Sequence, residues 1–176
     1  MLTRRTPISV AEAQKKINEI PLKTTTETIP LSEANHRILA EDVHAHYDYP
    51  HFRRAGMDGY AILASDDHDF PREFNVRGEI QAGATWDQPL QPGDAVRIMT
   101  GAYVPADAGK VIRIEKTRPA GENNNKVQII TTESKTNITE AGTDVKSGDV
   151  VLAKDQEINP GGLAVLTAFD VQEVTV

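Results

Sequence analysis

Cysteine is absent from this sequence, which excludes disulfides, thiolate metal sites and a thiol nucleophile. That usage fits a chain working in a reducing compartment, so a cytoplasmic location is expected. Aromatic residues are scarce at 5%, so aliphatic side chains must supply most of the burial within a hydrophobic share of 39%. No apolar run approaches the roughly 20 residues needed to span a bilayer, and no apolar signal core follows Met1; no membrane partner and no secretion are expected. Basic charge is also in deficit, with 19 Lys and Arg against 26 Asp and Glu and a net charge of −7. Nucleic acid binding needs phosphate neutralisation by cations, so no nucleic-acid partner is expected. Residues 1–25 alone are net basic (Arg4, Arg5, Lys15, Lys16 and Lys23 against Glu12 and Glu19), which reads as a solvated helix face.

What is present is patterned. Ser9 and Glu12 have capping-box spacing, Ile8 can staple toward Ala13, and Val10, Ala13, Ile17 and Ile20 recur at helical intervals. The spacing predicts an amphipathic first helix whose apolar stripe needs something to pack on. A second short helix is predicted from Ser32 over about 33–38, then a strand over 43–47 that Pro50 ends. From Gly59 to Ile130 the chain reads as all-β, with strands over 60–63, 74–80, 95–99, 111–114 and 127–130 separated by Gly- and Asn-rich turns. A further strand covers 150–152. Asn159-Pro160 offers an N-cap and a first-turn proline for a short helix through Leu166, and Val171, Val174 and Val176 suggest a closing strand. The predicted fold class is mainly β with α/β flanks: a small mixed α/β domain carrying an inserted β-barrel-like domain. The boundaries expected are a helical segment over 1–25, a discontinuous mixed domain over 26–48 and 137–176, and the inserted β domain over 49–136.

Three polar turns are candidates for chemistry. In Met57-Asp58-Gly59-Tyr60-Ala61, Asp-Gly is first of all a hairpin-turn signal. Its functional reading is a carboxylate held beside a rigid strand, able to orient a water, a metal or a substrate hydroxyl. Arg97-Ile98-Met99-Thr100-Gly101-Ala102 reads as a strand ending in a turn, or as a Thr100 hydroxyl with nearby backbone N–H groups around an anion. Gly142-Thr143-Asp144 is the third, and by residue type Asp144 reads as a simple turn former. His44 and His46 share a strand face with His51 nearby, but no firm third ligand accompanies them, so no metal site is expected. Asp66-Asp67-His68-Asp69 reads as a solvated loop without EF-hand spacing. No phosphate-binding loop and no nucleophile elbow is present.

These segments also form an ordered set. Leu31-Ser32-Glu33-Ala34 leads to Arg37-Ile38-Leu39-Ala40-Glu41-Asp42. Pro50-His51-Phe52 precedes Met57-Asp58-Gly59-Tyr60-Ala61. Ile80-Gln81-Ala82-Gly83 and Arg97 to Ala102 with Pro105 follow, then Glu115, Asn137-Ile138, and Gly142-Thr143-Asp144-Val145-Lys146 with Gly148-Asp149. In order and spacing the chain resembles the first and second domains of the molybdopterin molybdotransferase family, which includes bacterial MoeA and the E domain of gephyrin. The resemblance implies an elongated homodimer in which a large pterin-binding third domain and a small fourth β domain follow, with the N-terminal helix packed on the third. It implies insertion of molybdate into adenylylated molybdopterin with Mg²⁺, in a cleft between the third domain of one subunit and the second of its partner. Asp58 and Thr100 would be its catalytic residues and Asp144 a substrate-binding residue. Without the pterin-binding domain the chain is expected to be inactive alone and to hold neither Mg²⁺ nor molybdate. The alternative reading is a non-catalytic dimerisation or partner-binding module, a use that gephyrin illustrates.

Several positions depart from the family pattern. Asn35, Asp155 and Asp170 stand where glycine is usual; Asn and Asp tolerate positive φ best among the other residues, so those turns are expected to survive. Gly109, Thr139 and Thr143 replace a usual Asp, Arg and Glu, and all three are expected near the cleft.

Overall fold

The computed structural model describes residues 7–21 and 24–176. The charges of Arg4, Arg5 and Lys23 therefore lie outside the described residues. The chain forms two compact units, Met1–Glu41 with Lys154–Val176, and Asp42–Ala153. Among the described residues no helix is long and apolar enough to cross a membrane.

The discontinuous unit begins with α1 (Val10–Asn18). Its capping box forms as the sequence predicts: the Glu12 N–H donates to Ser9 Oγ at 3.2 Å, and the Ser9 N–H donates to the Glu12 carboxylate at 3.2 Å. None of its residues is buried, and Val10, Ile17 and Ile20 of the stripe are 77%, 65% and 60% exposed. The core of this unit lies elsewhere. Strand β1 (Thr28–Pro30) pairs antiparallel with a closing strand at Glu173–Thr175, setting Ile29 opposite Val174. Leu39, Ile158, Leu166, Phe169 and Val176 are buried with them.

The second helix predicted over 33–38 is not formed. A single 3-10 turn covers Leu31–Glu33, after which His36, Arg37 and Leu39 exchange backbone hydrogen bonds with Gln156 and Ile158. Extended pairing with the distant 156–158 segment buries Leu39 and overrides the local helical spacing. Of the glycine replacements, Asp155 (φ 66°) and Asp170 (φ 56°) are left-handed, as expected. Asn35 is not; its neighbour His36 takes that conformation (φ 64°) and its Nδ1 lies 2.6 Å from Glu157 Oε1.

The continuous unit holds the main sheet. In chain order its strands are β2 (Val43–His44), β3 (Arg54–Ala55), β4 (Gly59–Leu63), β5 (Arg72–Ile80), β6 (Asp94–Ile98), β7 (Ala108–Arg113), β8 (Thr117–Ala120), β9 (Lys126–Ile129), β10 (Ile138–Thr139) and β11 (Val150–Leu152). Helix α2 (Pro160–Ala168) and the closing strand β12 (Glu173–Thr175) follow in the other unit, α2 being capped by Asn159, which accepts from the Gly162 N–H at 2.9 Å. The strand predicted over 43–47 is confined to β2, which pairs with β11.

Six strands form one mixed sheet in the order β7-β4-β6-β5-β9-β8, with β5 and β6 parallel and the other pairs antiparallel. The barrel-like closure expected for this module is absent: β7 and β8 are the two ends of the order and do not pair with each other. The free side of β7 is occupied instead by the 132–137 segment, where the Val111 N–H donates to Thr136 O at 2.8 Å and the Asn137 amide donates to Val111 O at 2.9 Å. At the other end, β8 carries Pro119, a residue that suits an edge because it has no N–H to offer a further strand.

Aliphatic side chains pack on both faces. Val96, Ile98, Ile80, Val104 and Val111 form one core with Trp86 and Met99 against it; Ile62, Phe74, Ile112, Val127 and Ile129 form the other. The loop expected to be solvated at 66–69 is only half so. Asp66 is buried, accepting from the Gly93 N–H at 2.8 Å and pairing with Arg72 at 3.1 Å, while Asp67 pairs with Lys110 and accepts from Thr132. His68 and Asp69 are the exposed part.

Candidate active-site edge

The three candidate turns are gathered by β3, a strand too short to stand out in the sequence. On one side its residues bond to the 101–104 segment: the Ala55 N–H donates to Ala102 O at 3.0 Å and the Gly101 N–H to Ala55 O at 2.8 Å. On the other side β3 pairs with β10, with Ala55 opposite Ile138 and Arg54 opposite Thr139. The turn that leaves β3 carries Asp58, the turn that leaves β6 carries Thr100, and Asp144 follows β10. Sequence separations of 42 and 90 residues are closed by these few backbone pairs.

Asp58 and Thr100 meet directly. The Thr100 N–H donates to Asp58 Oδ1 at 2.7 Å, and the Thr100 hydroxyl donates to the same oxygen at 2.6 Å. Both residues are exposed. The hydroxyl and the N–H of Thr100 hold the Asp58 carboxyl below its ordinary value of 3.8, with a smaller contribution from the Arg97 charge. Among the described residues, both hydrogen bonds to the Asp58 carboxylate fall on Oδ1, which leaves Oδ2 with its acceptor sites open. The Thr100 donors that the sequence offers to an external anion are thus turned onto Asp58, and the pair presents an oriented carboxylate.

Gly59 holds this arrangement through close approach. A Cβ there would lie 1.9 Å from Ile112 O on β7, and since β3 pairs with β10 and β4 with β6 and β7, the Asp-Gly step does not join a hairpin. The Ile114 N–H donates to Asp58 O at 3.0 Å and ties the carboxylate-bearing turn to the end of the same strand.

Asp144 is exposed and sits apart from the Asp58–Thr100 pair in bonding, with the Arg54 guanidinium 3.4 Å from its Oδ2. Arg54 was not singled out by sequence; its position within the 50–61 segment was the only signal. Its neighbour Arg53 donates to Glu140 at 2.9 Å and to the carbonyls of Pro105, Ala106 and Ala108, tying three loops beside the edge. Of the departures, Thr139 lies opposite Arg54 and the Thr143 hydroxyl donates to Glu140 O at 2.6 Å. Gly109 is elsewhere, contrary to expectation. It occupies the far end of the β4–β7 pairing from Asp58, where a Cβ would lie 2.4 Å from the Ala64 Cβ, so an Asp could not be accommodated.

The histidines are dispersed. His44 Nδ1 lies 2.9 Å from Gly148 O, and the His51 ring packs edge-on against Tyr47 and Tyr49. Among the described residues no three His, Asp or Glu side chains are placed to hold a metal ion.

Comparison with known proteins agrees with this layout. Residues 8–169 match the family model described as the MoeA N-terminal region (domain I and II). The chain belongs to the MoeA N-terminal region family. It is 38% identical over 182 residues to the molybdopterin molybdenumtransferase of Bacillus subtilis (strain 168), covering 100% of this chain and 42% of that protein. It is likewise 38% identical over 190 residues to the enzyme of Staphylococcus aureus (strain Mu50 / ATCC 700699), with the same coverage. Among solved structures, the molybdopterin biosynthesis moeA protein of Pyrococcus horikoshii OT3 superposes with a TM-score of 0.78 at 36% identity, covering 86% of this chain and 41% of that one. The chain therefore spans about two-fifths of the length of the MoeA relatives it matches.

Proposed function

We propose that this chain supplies one edge of a molybdenum-inserting cleft, acting with the remaining domains of a molybdopterin molybdotransferase on adenylylated molybdopterin and molybdate. The supporting observation is the single-sided engagement of Asp58. Thr100 clamps Oδ1 with two donors, which fixes the rotamer and keeps the carboxylate ionised, while Oδ2 is left to orient a substrate hydroxyl or water. Asp144, reached through Arg54, is proposed as a second polar contact for the substrate. In this reading the module proposed over 49–136 carries Asp58 and Thr100, and the mixed domain proposed over 26–48 and 137–176 carries Asp144.

Magnesium, which the family implies, fits these residues poorly as a resident ion. The described residues offer the one open carboxylate oxygen of Asp58 and no cluster of three ligands, whereas Mg²⁺ prefers six near-octahedral oxygens.

The test is a chimera in which this chain replaces the corresponding part of the Bacillus subtilis relative, assayed for molybdenum insertion. Asp58→Asn and Thr100→Val are each expected to lower insertion about a hundredfold, the scale on which oriented polar groups act in catalysis. Full insertion by both variants overturns the site assignment. A second reading, a dimerisation or partner-binding module without chemistry of its own, is favoured by the exposed stripe of Val10, Ile17 and Ile20 on α1. A mass measurement by light scattering separates the two: a stable dimer abolished by Ile17→Asp, together with an inactive chimera, selects the second.

A further inference from the structure

Strands β3 and β10 are each two residues long, shorter than strands usually are, yet the candidate turns are gathered by them. The side chain just before β3 adds what so short a backbone ladder lacks. Arg53 is half-buried and makes four side-chain hydrogen bonds to neighbouring segments. Its Nε donates to Glu140 at 2.9 Å, Nη1 to the carbonyls of Pro105 and Ala106 at 3.1 Å each, and Nη2 to the carbonyl of Ala108 at 3.1 Å. Arg54 beside it makes one side-chain bond among the described residues, to Asp144 at 3.4 Å.

These bonds continue a line that ends at Asp58. The Arg53 carbonyl accepts from the Val104 N–H at 2.9 Å, so one residue grips the 104–108 segment by backbone and side chain together. Further along, Ala55 bonds to Gly101 and Ala102, and beyond them Asp58 accepts both Thr100 donors. Arg53 thus closes one end of a short ladder whose other end is the Asp58–Thr100 contact. Strand β6 fixes the chain as far as Met99, whose N–H donates to Ile80 O at 3.1 Å. From Gly101 onward the segment is held by β3, by Arg53 and by the burial of Ala102 and Val104. On the opposite flank the bond to Glu140 aims the guanidinium plane; the Asp144 turn has its own backbone anchors at Tyr49 and Pro50.

We propose that Arg53 is a positioning residue for the Asp58–Thr100 pair: it holds the 104–108 segment against β3 and so keeps both Thr100 donors on one oxygen of Asp58. A planar fork can meet several carbonyls and a carboxylate at once, which a compact ammonium cannot. The bearing of Arg53 on molybdenum insertion rests on the reading of Asp58 and Thr100 proposed above.

The test is the Thr100 amide proton resonance in NMR spectra of the 176-residue chain at neutral pH, with Asp58→Ala as the reference for a lost bond. Arg53→Gln is expected to move that resonance from its parent position towards that of Asp58→Ala. A resonance of the folded chain does not respond to a loss of global stability, so a merely structural arginine would leave it in place. Arg53→Lys keeps the charge and can still meet Glu140, but it lacks the fork and is expected to move the resonance in the same direction. In the chimera with the Bacillus subtilis relative, Arg53→Gln is expected to lower kcat and kcat/KM together by about tenfold. An unmoved Thr100 resonance in Arg53→Gln overturns the positioning role. A parent-like resonance in Arg53→Lys assigns the effect to charge and overturns the holding of the 104–108 segment. Full insertion by Arg53→Gln where Asp58→Asn is impaired overturns its bearing on the reaction. If Asp58→Asn also inserts at the full rate, the site reading has failed and the Thr100 resonance alone decides Arg53. Should Arg53→Gln fail to fold, Arg53→Lys read in the same way decides the matter.

Discussion

Replacing Gly59 with alanine is the sharpest test of how the fold carries the Asp58 turn. The added Cβ would lie 1.9 Å from Ile112 O, 2.7 Å from Ile112 C and 3.0 Å from the Arg113 Cα. All three are backbone atoms, so no side-chain rotation relieves the overlap. A carbon resting on a carbonyl oxygen needs about 3.3 Å, so β4 and β7 must separate by more than about 1 Å. That takes the hydrogen bonds around Gly59↔Arg113 and Tyr60↔Ile112 beyond bonding distance. Two lost backbone bonds at about 1 kcal/mol each, with overpacking strain of at least about 1 kcal/mol, give a destabilisation of about 3 kcal/mol. For a chain of this size that lowers the melting midpoint by about 6–12 °C. Trp86, the single tryptophan, packs against the first core of the same sheet, so urea unfolding followed by its fluorescence reads this unit. Gly101→Ala is the control: its φ is +81° but nothing lies within 4 Å, so only the left-handed penalty of about 1–2 kcal/mol applies. A Gly59→Ala variant within about 0.5 kcal/mol of the parent, or less damaged than Gly101→Ala, refutes the close-approach argument.

The Asp58 carboxyl should titrate below 3.8 when followed by carbon NMR, and Thr100→Val, which removes the largest cause, should move the midpoint upward. Because the folded value is depressed, Asp58 stabilises the folded turn above its ordinary value and loses that contribution as pH falls through the folded one. Glu133→Gln tests the β7 flank. Burial would raise the Glu133 carboxyl, but hydrogen bonds from Lys116 and Arg113 outweigh it and the net shift is downward from 4.5. The variant should lose about 1–3 kcal/mol at neutral pH, partly offset because water reaches the freed cations. By the same linkage, the gap between parent and variant should be full above 4.5 and close as pH falls below it, and a gap independent of pH contradicts the ion-pair account.

Local chemistry was legible in the sequence wherever it acts within a few residues. The Ser9–Glu12 capping box, the Asn159-Pro160 helix start and the left-handed Asp155 and Asp170 follow from side chains and backbone a turn apart. Most strands of the main sheet were visible because aliphatic residues recur at turn-bounded intervals. The edge strand β8 escaped notice since Pro119 and four residues leave no alternation to read. Tertiary structure alone decided the rest. Residues 33–38 have helical spacing but gain more from pairing with 156–158, a contact no local window contains. The parallel β5–β6 pairing and the covering of β7 by 132–137 leave an open sheet where strand count suggested closure. Asp58 and Thr100 could be named from their motifs, but that Thr100 spends both donors on one carboxylate oxygen is a product of β3, two residues long, bonding to segments far along the chain. Pairing of distant backbone depends on the summed packing of both sheet faces, and no stretch of sequence carries that sum by itself.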